Sequence, residues 1–119
     1  MRNQPKYHFF KNTRYALAGL RDVIANESSF KIELALFFIL QLLVVFLPLS
    51  ITEKMVLSAS LFVPLIVEVL NSAIERVVDL VTIEHHELAK KAKDAGSAAV
   101  FLSITFVLMV WIYMLFANI

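Results

Sequence analysis

The chain has 119 residues, of which 60% are hydrophobic, and its mean hydropathy of +0.77 is far above that of a soluble domain. Its formal net charge of +1 gives no basis for binding nucleic acid, and the absence of cysteine excludes disulfides and thiol chemistry. These properties predict a small integral membrane protein that forms a single membrane domain.

The first predicted element is an amphipathic helix over residues 8–25. Apolar side chains such as Phe10, Leu17 and Leu20 recur there at helical spacing, and charged side chains lie on the other faces. No apolar segment precedes a cleavage site, which argues against a removed signal peptide. We therefore expect this helix to lie in the membrane interface.

Three apolar stretches follow, and each is about long enough to cross a bilayer. We expect the first transmembrane helix at 31–50, the second at 54–80 with a cytoplasmic extension, and the third at 94–117. A short turn, Ser50–Lys54, joins the first two, and a charged segment at 84–93 leads into the third. The expected fold is an all-α membrane protein.

Basic residues predict the orientation of these helices. Six precede the first span and four separate the second from the third, whereas the first turn has only Lys54. They are Arg2, Lys6, Lys11, Arg14, Arg21 and Lys31, then Arg76, Lys90, Lys91 and Lys93. We expect the N-terminus and the second loop in the cytoplasm and the C-terminus outside.

A stripe of polar side chains, Glu68, Asn71, Glu75 and Asp79, runs along the second span. At about 100° per residue all four share one helix face, and acids inside a membrane are costly and usually functional. Measured from Met55 at ~1.5 Å per residue, Glu68 lies ~20 Å deep, and Glu75 emerges at the cytoplasmic surface. A partly desolvated Glu68 suits a general base, and the shallower acids suit magnesium.

Two further polar groups are expected at the same interface. One lies at the start of the first span and the other in the second loop, where lysines stand beside acids, as a polyphosphate ligand requires. The members are Asn26, Glu27 and Glu33, then Glu84, His85, His86, Glu87, Lys90, Lys91, Lys93 and Asp94. An HExxH zinc motif is excluded because Lys90 stands at the position of the second histidine.

These features also admit other interpretations. The stripe could form hydrogen bonds between helices of a homo-oligomer, which is an economical way to bury it, and the loop lysines could serve topology alone. A small cation-coupled transporter is an alternative function, although the acids lie towards one membrane face. A structural assembly protein is another, and it leaves Glu68 unexplained.

Three segments carry a family resemblance: NESSFKIE at Asn26–Glu33, VEVLNSAIERVVD at Val67–Asp79 and EHHELAKKAKDAGSAAV at Glu84–Val100. Together they closely resemble the prokaryotic diacylglycerol kinase family, and the likeness extends from Tyr15 to Trp111. That family comprises small homotrimeric inner-membrane lipid kinases and includes an undecaprenol kinase branch. The resemblance implies direct transfer of the γ-phosphoryl group of MgATP to the primary hydroxyl of diacylglycerol, giving phosphatidic acid.

The resemblance also implies roles for individual residues. Glu68 matches the catalytic base, Glu27 and Glu75 match the magnesium ligands, and Asn71 and Asp79 match supporting polar residues. The implied ATP-binding residues are Tyr15, Glu27, Glu75, Glu84, His85, His86, Lys93 and Asp94. The implied lipid-binding residues are Arg21, Ser29, Phe30, Lys31, Glu33, Glu68, Ser97 and Trp111.

Two lipids are candidate acceptors. Glu33, His86–Leu88 and Gly96–Ala99 resemble the diacylglycerol branch, whereas Glu75–Arg76 and Asp79–Thr82 resemble the undecaprenol branch. Diacylglycerol is the expected substrate, and undecaprenol is the alternative.

Overall fold

The computed structural model describes residues 6–119; Arg2, which contributes to the basic N-terminal group, lies outside the described residues. Every element within this range is helical, so the prediction of an all-α chain is confirmed. The helices are α1 (Phe9–Asn26), α2 (Ser28–Phe46), α3 (Ile51–Ser60), α4 (Phe62–Val81) and α5 (Glu87–Ala117).

Three helical stretches are long and apolar enough to cross a membrane: Ser28–Phe46, Ile51–Val81 and Glu87–Ala117. The second is formed by α3 and α4 together. Many of their large apolar side chains are exposed on the outside of the chain, where lipid rather than water can cover them. The molecule is therefore a multi-pass membrane protein, as its hydropathy predicts.

The junction between α1 and α2 is a single residue, Glu27. Its extended backbone (φ −114°, ψ 106°) ends α1, and the same residue precedes the first turn of α2. Val23 is the only buried residue of α1, so this helix is held mainly through its last turns. The chain therefore changes direction sharply, with one acidic side chain at the corner.

The first transmembrane helix ends at Phe46 because Pro48 follows. A residue before proline avoids the helical region, and Leu47 is accordingly extended (φ −69°, ψ 141°). The turn predicted at Ser50–Lys54 is instead helical from Ile51 onwards. The reason is a capping box in which Ser50 Oγ accepts from the Glu53 N–H at 3.2 Å and Glu53 Oε1 accepts from the Ser50 N–H at 3.1 Å.

The second span, predicted as one continuous helix, is interrupted at Leu61 between α3 and α4. Pro64 has no N–H, so it cannot bond the carbonyl of Ser60 four residues earlier. The Ser60 hydroxyl donates to the Leu57 carbonyl at 2.6 Å and accepts from Trp111 Nε1 at 3.1 Å. The end of α3 is thereby attached to α5.

Helices α4 and α5 form an antiparallel pair joined by residues 82–86. They approach closely at Gly96, where any Cβ would collide with the side-chain oxygen of Asn71. The charged segment at 84–93, expected as a loop and the start of a helix, is helical from Glu87, because the His86 Nδ1 accepts from the Leu88 N–H at 3.1 Å and caps α5. The charged residues of this segment therefore lie on the first turns of a long helix.

Polar contacts also join the helices at the opposite end of the bundle. Ser58 Oγ donates to Gln41 Oε1 at 2.6 Å, and Gln41 Nε2 donates to the Ser58 carbonyl at 3.0 Å, which ties α2 to α3. Asn118 Nδ2 donates to Glu53 Oε2 at 2.6 Å and ties the end of α5 to the start of α3. These contacts fix the hairpin of α2 and α3 against α5.

Candidate active site

Glu68 is the most deeply placed acid of the site. Its side chain lies on α4 facing α2, is only 7% exposed, and accepts a hydrogen bond on Oε1 from Ser29 Oγ at 3.2 Å. Ser29 belongs to the first turn of α2, one helical turn before Glu33. The Glu33 side chain therefore lies on the same face of α2 as Ser29. Two acids and a hydroxyl thus converge between α2 and α4.

An apolar groove of about 270 Å³ opens beside this group. Its walls come from α2, α4 and α5 and include Phe37, Leu65 and Leu108, with Glu33 as its one acidic residue. The Oε2 of Glu33 is buried and has no hydrogen-bond partner among residues 6–119. A ligand with a hydroxylated head and an apolar chain would satisfy both the carboxylate and the groove.

One turn along α4 from Glu68, Asn71 orients Glu75. The Asn71 amide, 7% exposed, donates from Nδ2 to Glu75 Oε1 at 3.2 Å. Its own oxygen lies against Gly96 and has no partner within the described range. The face of α4 predicted from helical spacing is therefore buried at Glu68 and Asn71 and becomes accessible from Glu75 to Asp79.

The corner residue Glu27 is joined to α4 through Arg76. One guanidinium nitrogen bonds the Asp22 carboxylate, and the other lies 3.3 Å from Glu27 Oε1. Arg76 directly follows Glu75, so the carboxylate of Glu27 is drawn to the part of α4 that carries Glu75. Two acids that are 48 positions apart in the chain are thus brought to the same end of the bundle.

A polar cavity of about 370 Å³ lies between the end of α4 and the start of α5. Lys93 Nζ lies 2.7 Å from Asp79 Oδ1, and Lys90 Nζ lies 2.7 Å from Asp94 Oδ2. The structure brings six residues with implied ATP-binding or supporting roles to this cavity. They are Asp79, Glu84, His85, His86, Lys93 and Asp94.

The carboxylates of Glu27 and Glu75 fit a magnesium ion that is held together with a phosphorylated ligand. No cluster of three or more acidic, histidine or cysteine side chains that could hold a metal occurs in residues 6–119. Magnesium, however, is commonly bound by one or two carboxylates, with substrate phosphates and water as its other ligands. Glu75 is bonded on one oxygen by a neutral amide, and Glu27 has only a long contact to Arg76, so both keep oxygens available.

Other residues with implied roles form no side-chain hydrogen bond with Glu68 within residues 6–119. Trp111 bonds Ser60, which is eight positions before Glu68, or about 12 Å along a helix. Phe30 is 1% exposed and packs in the interior. Tyr15, Arg21, Lys31 and Ser97 lie at exposed positions.

Two polar features of the structure were not recognised as parts of a site from the sequence. The sequence points to Arg76 for topology and for its likeness to the undecaprenol branch, although an arginine next to a predicted metal ligand is also a usable signal of a site. The pairing of Gln41 with Ser58 is the second feature, and its signal in the sequence is the presence of single polar residues within apolar runs.

The sequence model of a family described as prokaryotic diacylglycerol kinase matches residues 14–115. Among curated proteins, the chain is 40% identical to a diacylglycerol kinase of Haemophilus influenzae over 87% of this chain and 88% of the relative. It is 36% identical to a diacylglycerol kinase of Escherichia coli K12 over 91% and 88% of the two chains. The diacylglycerol kinase of Pseudomonas aeruginosa PAO1 is 42% identical over 83% and 80%.

Proposed function

The chain belongs to the prokaryotic diacylglycerol kinase family, and we propose that it transfers the γ-phosphoryl group of MgATP directly to the primary hydroxyl of diacylglycerol. It is a lipid kinase, and its product is phosphatidic acid. The observation that carries the assignment to this site is the burial of Glu68 beside Ser29 and an apolar groove, on the same helix face that leads to the charged cavity.

Glu68 acts as the general base. Ser29 holds its Oε1, which leaves Oε2 to accept the proton of the lipid hydroxyl as that oxygen attacks the γ-phosphorus. The bond from the γ-phosphorus to the β,γ-bridging oxygen breaks in line, and ADP leaves. Because Glu68 is shielded from water, the proton is taken from the lipid rather than from solvent.

The lipid is held by residues of α1, α2, α4 and α5. Glu33 accepts a hydrogen bond from the glycerol part of the lipid, and the groove beside it takes apolar chain. Exposed cationic groups on α1 and α2 lie where lipid headgroups meet water. The proposed lipid-binding set is Arg21, Ser29, Phe30, Lys31, Glu33, Glu68, Ser97 and Trp111.

ATP is held at the water-exposed end of the same face. Glu27 and Glu75 would hold magnesium, which would supply positive charge to the phosphoryl group during its transfer. Lys93 contributes positive charge towards the phosphates, and Asp79 and Asn71 support these side chains. The proposed ATP-binding residues are Tyr15, Glu27, Glu75, Glu84, His85, His86, Lys93 and Asp94.

The assembly is proposed to be a homotrimer in the bacterial inner membrane, with the N-terminus and the loop at 82–86 in the cytoplasm and the C-terminus outside. The distribution of lysine and arginine supports this orientation. The exposed Phe9 and Phe10 of α1 support its position in the cytoplasmic interface, and the extensive exposed apolar surface of the spans supports packing against further copies.

The direct test is phosphate transfer from radiolabelled ATP by purified protein, offered diacylglycerol and undecaprenol in parallel micelles. We expect labelled phosphatidic acid as the main product. Labelling of undecaprenol alone would assign the chain to the undecaprenol kinase branch, whose sequences the pair Glu75–Arg76 resembles. No labelled lipid from either acceptor would refute the kinase assignment.

A further inference from the structure

Arg76 forms a bridge between three helices. Its guanidinium bonds Asp22 in the last turn of α1 and contacts Glu27 Oε1 at 3.3 Å at the corner between α1 and α2, while its own backbone belongs to α4. Asp22 and Arg76 are 54 positions apart in the chain. Arginine suits this position because its planar fork can serve two carboxylates at once, which a lysine ammonium does less well.

The attachment of α1 to α4 otherwise rests on little packing. The two helices enclose a groove of about 490 Å³ with small residues, Ala16, Gly19 and Ala73, along its walls, and Arg76 lines the same groove. A Cβ added at Gly19 would meet no atom within 4 Å. Val23 is the only buried side chain that α1 contributes. The ion pairs of Arg76 therefore add to a small packing contact between these helices.

The direction of the Glu27 side chain is unusual for its position. Glu27 precedes the first turn of α2, where an acid commonly accepts hydrogen bonds from free N–H groups of that turn. Glu27 makes no such bond, and its carboxylate reaches Arg76 instead. The guanidinium thus turns this carboxylate away from its own helix and towards the end of α4 that carries Glu75.

The charges of Arg76 and its carboxylate partners also favour the contact of Arg76 with Glu27. Asp22 and Glu27 place two carboxylates on one guanidinium, and without Arg76 these two acids would repel each other. Arg76 contacts only one oxygen of Glu27, and that contact is long, so the carboxylate keeps lone pairs for a cation. Bridging and metal binding are therefore compatible.

We propose that Arg76 is a positioning residue: by bridging Asp22 and Glu27 it fixes α1 against α4 and preassembles the Glu27 carboxylate with Glu75 for MgATP. The inference rests on the proposed function, because it takes Glu27 and Glu75 as the metal ligands. Arg76 does not touch the reacting atoms in this role. It acts through Glu27 and through the position of α1.

The first measurement is the distance between α1 and α4. The chain has no cysteine, so Ala18→Cys and Leu80→Cys provide two exposed sites for spin labels on the full-length protein in nanodiscs. Labelled chains are diluted with unlabelled ones so that only distances within one chain are read. We expect a narrow distribution with Arg76, a broad one with Arg76→Ala, and a partly restored one with Arg76→Lys.

The second measurement is the affinity for Mn²⁺ in the presence of ATP, read from the paramagnetic signal of the free ion. Residues that orient metal ligands commonly change metal affinity by 10-fold or more, so we expect Arg76→Ala to weaken Mn²⁺ binding about 10-fold. Arg76→Lys should recover part of this loss. Lys11→Ala is the matched control, because Lys11 lies on α1 and forms no ion pair with any residue in 6–119.

An Mn²⁺ affinity of Arg76→Ala that equals or exceeds the wild-type value would overturn the proposal. An affinity above the wild-type value would mean that Arg76 competes with the metal ion for Glu27 instead of positioning the Glu27 carboxylate. An unchanged distance distribution would also overturn it. Failure of the kinase assignment is separable, since it shows as absence of lipid phosphorylation by the wild-type chain, whereas the distance measurement needs no substrate.

Discussion

At the scale of single residues, the site depends on how a few polar groups are held inside an apolar chain. A carboxylate in a membrane helix is tolerated when it has polar partners or a water-filled approach, and Glu68 has Ser29 as its partner. Asn71 in turn directs Glu75. Each acid is thus oriented by a neutral donor, which fixes its geometry without cancelling its charge.

Replacing Ser29 tests this orientation. Ser29→Ala removes the hydrogen bond to Glu68 Oε1, and we expect kcat for lipid phosphorylation to fall about 10-fold, as a lost hydrogen bond to a charged group of 1.5–3 kcal/mol allows. Ser28→Ala is the control, since Ser28 is exposed on the same turn and forms no side-chain hydrogen bond in the described chain. Equal rates for the two variants would remove Ser29 from the site.

At the scale of helices, the close contact of α4 with α5 sets the position of the polar face. Gly96 allows this approach because it has no Cβ, and the amide of Asn71 occupies the space that a side chain would need. The interruption at Leu61 lies in the other half of the second span, next to Ser60, which accepts a hydrogen bond from Trp111. The second span is therefore held by α5 at two places, one on each side of Glu68: α4 at Asn71 and the end of α3 at Ser60.

A methyl group at the contact should disturb both stability and the site. We expect Gly96→Ala to lower the free energy of unfolding by about 1–3 kcal/mol, as overpacking does, and to displace Asn71 from Glu75. Gly19→Ala is a matched control within a helix, because its new Cβ would meet open space and should be neutral or slightly stabilising. Unfolding in graded SDS, followed by circular dichroism, measures both. Equal stability of the two variants would contradict the close contact.

At the scale of the whole molecule, the acids of three chain segments collect at one end of the bundle. The corner at Glu27, the end of α4 and the start of α5 all lie there, and Glu53 and Asn118 mark the opposite end. This polarity suits an enzyme that takes ATP from one aqueous compartment only. A transporter would need comparable polar access from both ends.

The orientation can be measured with introduced thiols, because the natural chain has none. Thr52→Cys and Ile83→Cys lie at exposed positions at opposite ends of the second span. We expect a membrane-impermeant maleimide to label position 52 in intact cells and position 83 only after permeabilisation. The reverse pattern would place the ATP site outside the cytoplasm and contradict the proposed topology.

Residues close together in the sequence were enough to predict the three spans and the polar face of the second span. Helical spacing alone placed Glu68 and Asn71 on one face, and the apolar runs predicted three spans. The interruption at Leu61 had a visible cause in Pro64, but its bond to Trp111 depends on how α5 packs. The bridge from Arg76 to Asp22 joins residues 54 positions apart, and no local pattern encodes a contact of that separation.

The most direct test of the account is phosphate transfer by Glu68→Gln. A carboxamide keeps the shape of the side chain but cannot take the proton, and general-base catalysis contributes roughly 100-fold to 10,000-fold. We expect diacylglycerol phosphorylation from radiolabelled ATP to fall by at least about 100-fold, with ATP binding and oligomeric state unchanged. Near-wild-type transfer by Glu68→Gln would contradict the assignment of Glu68 as the base.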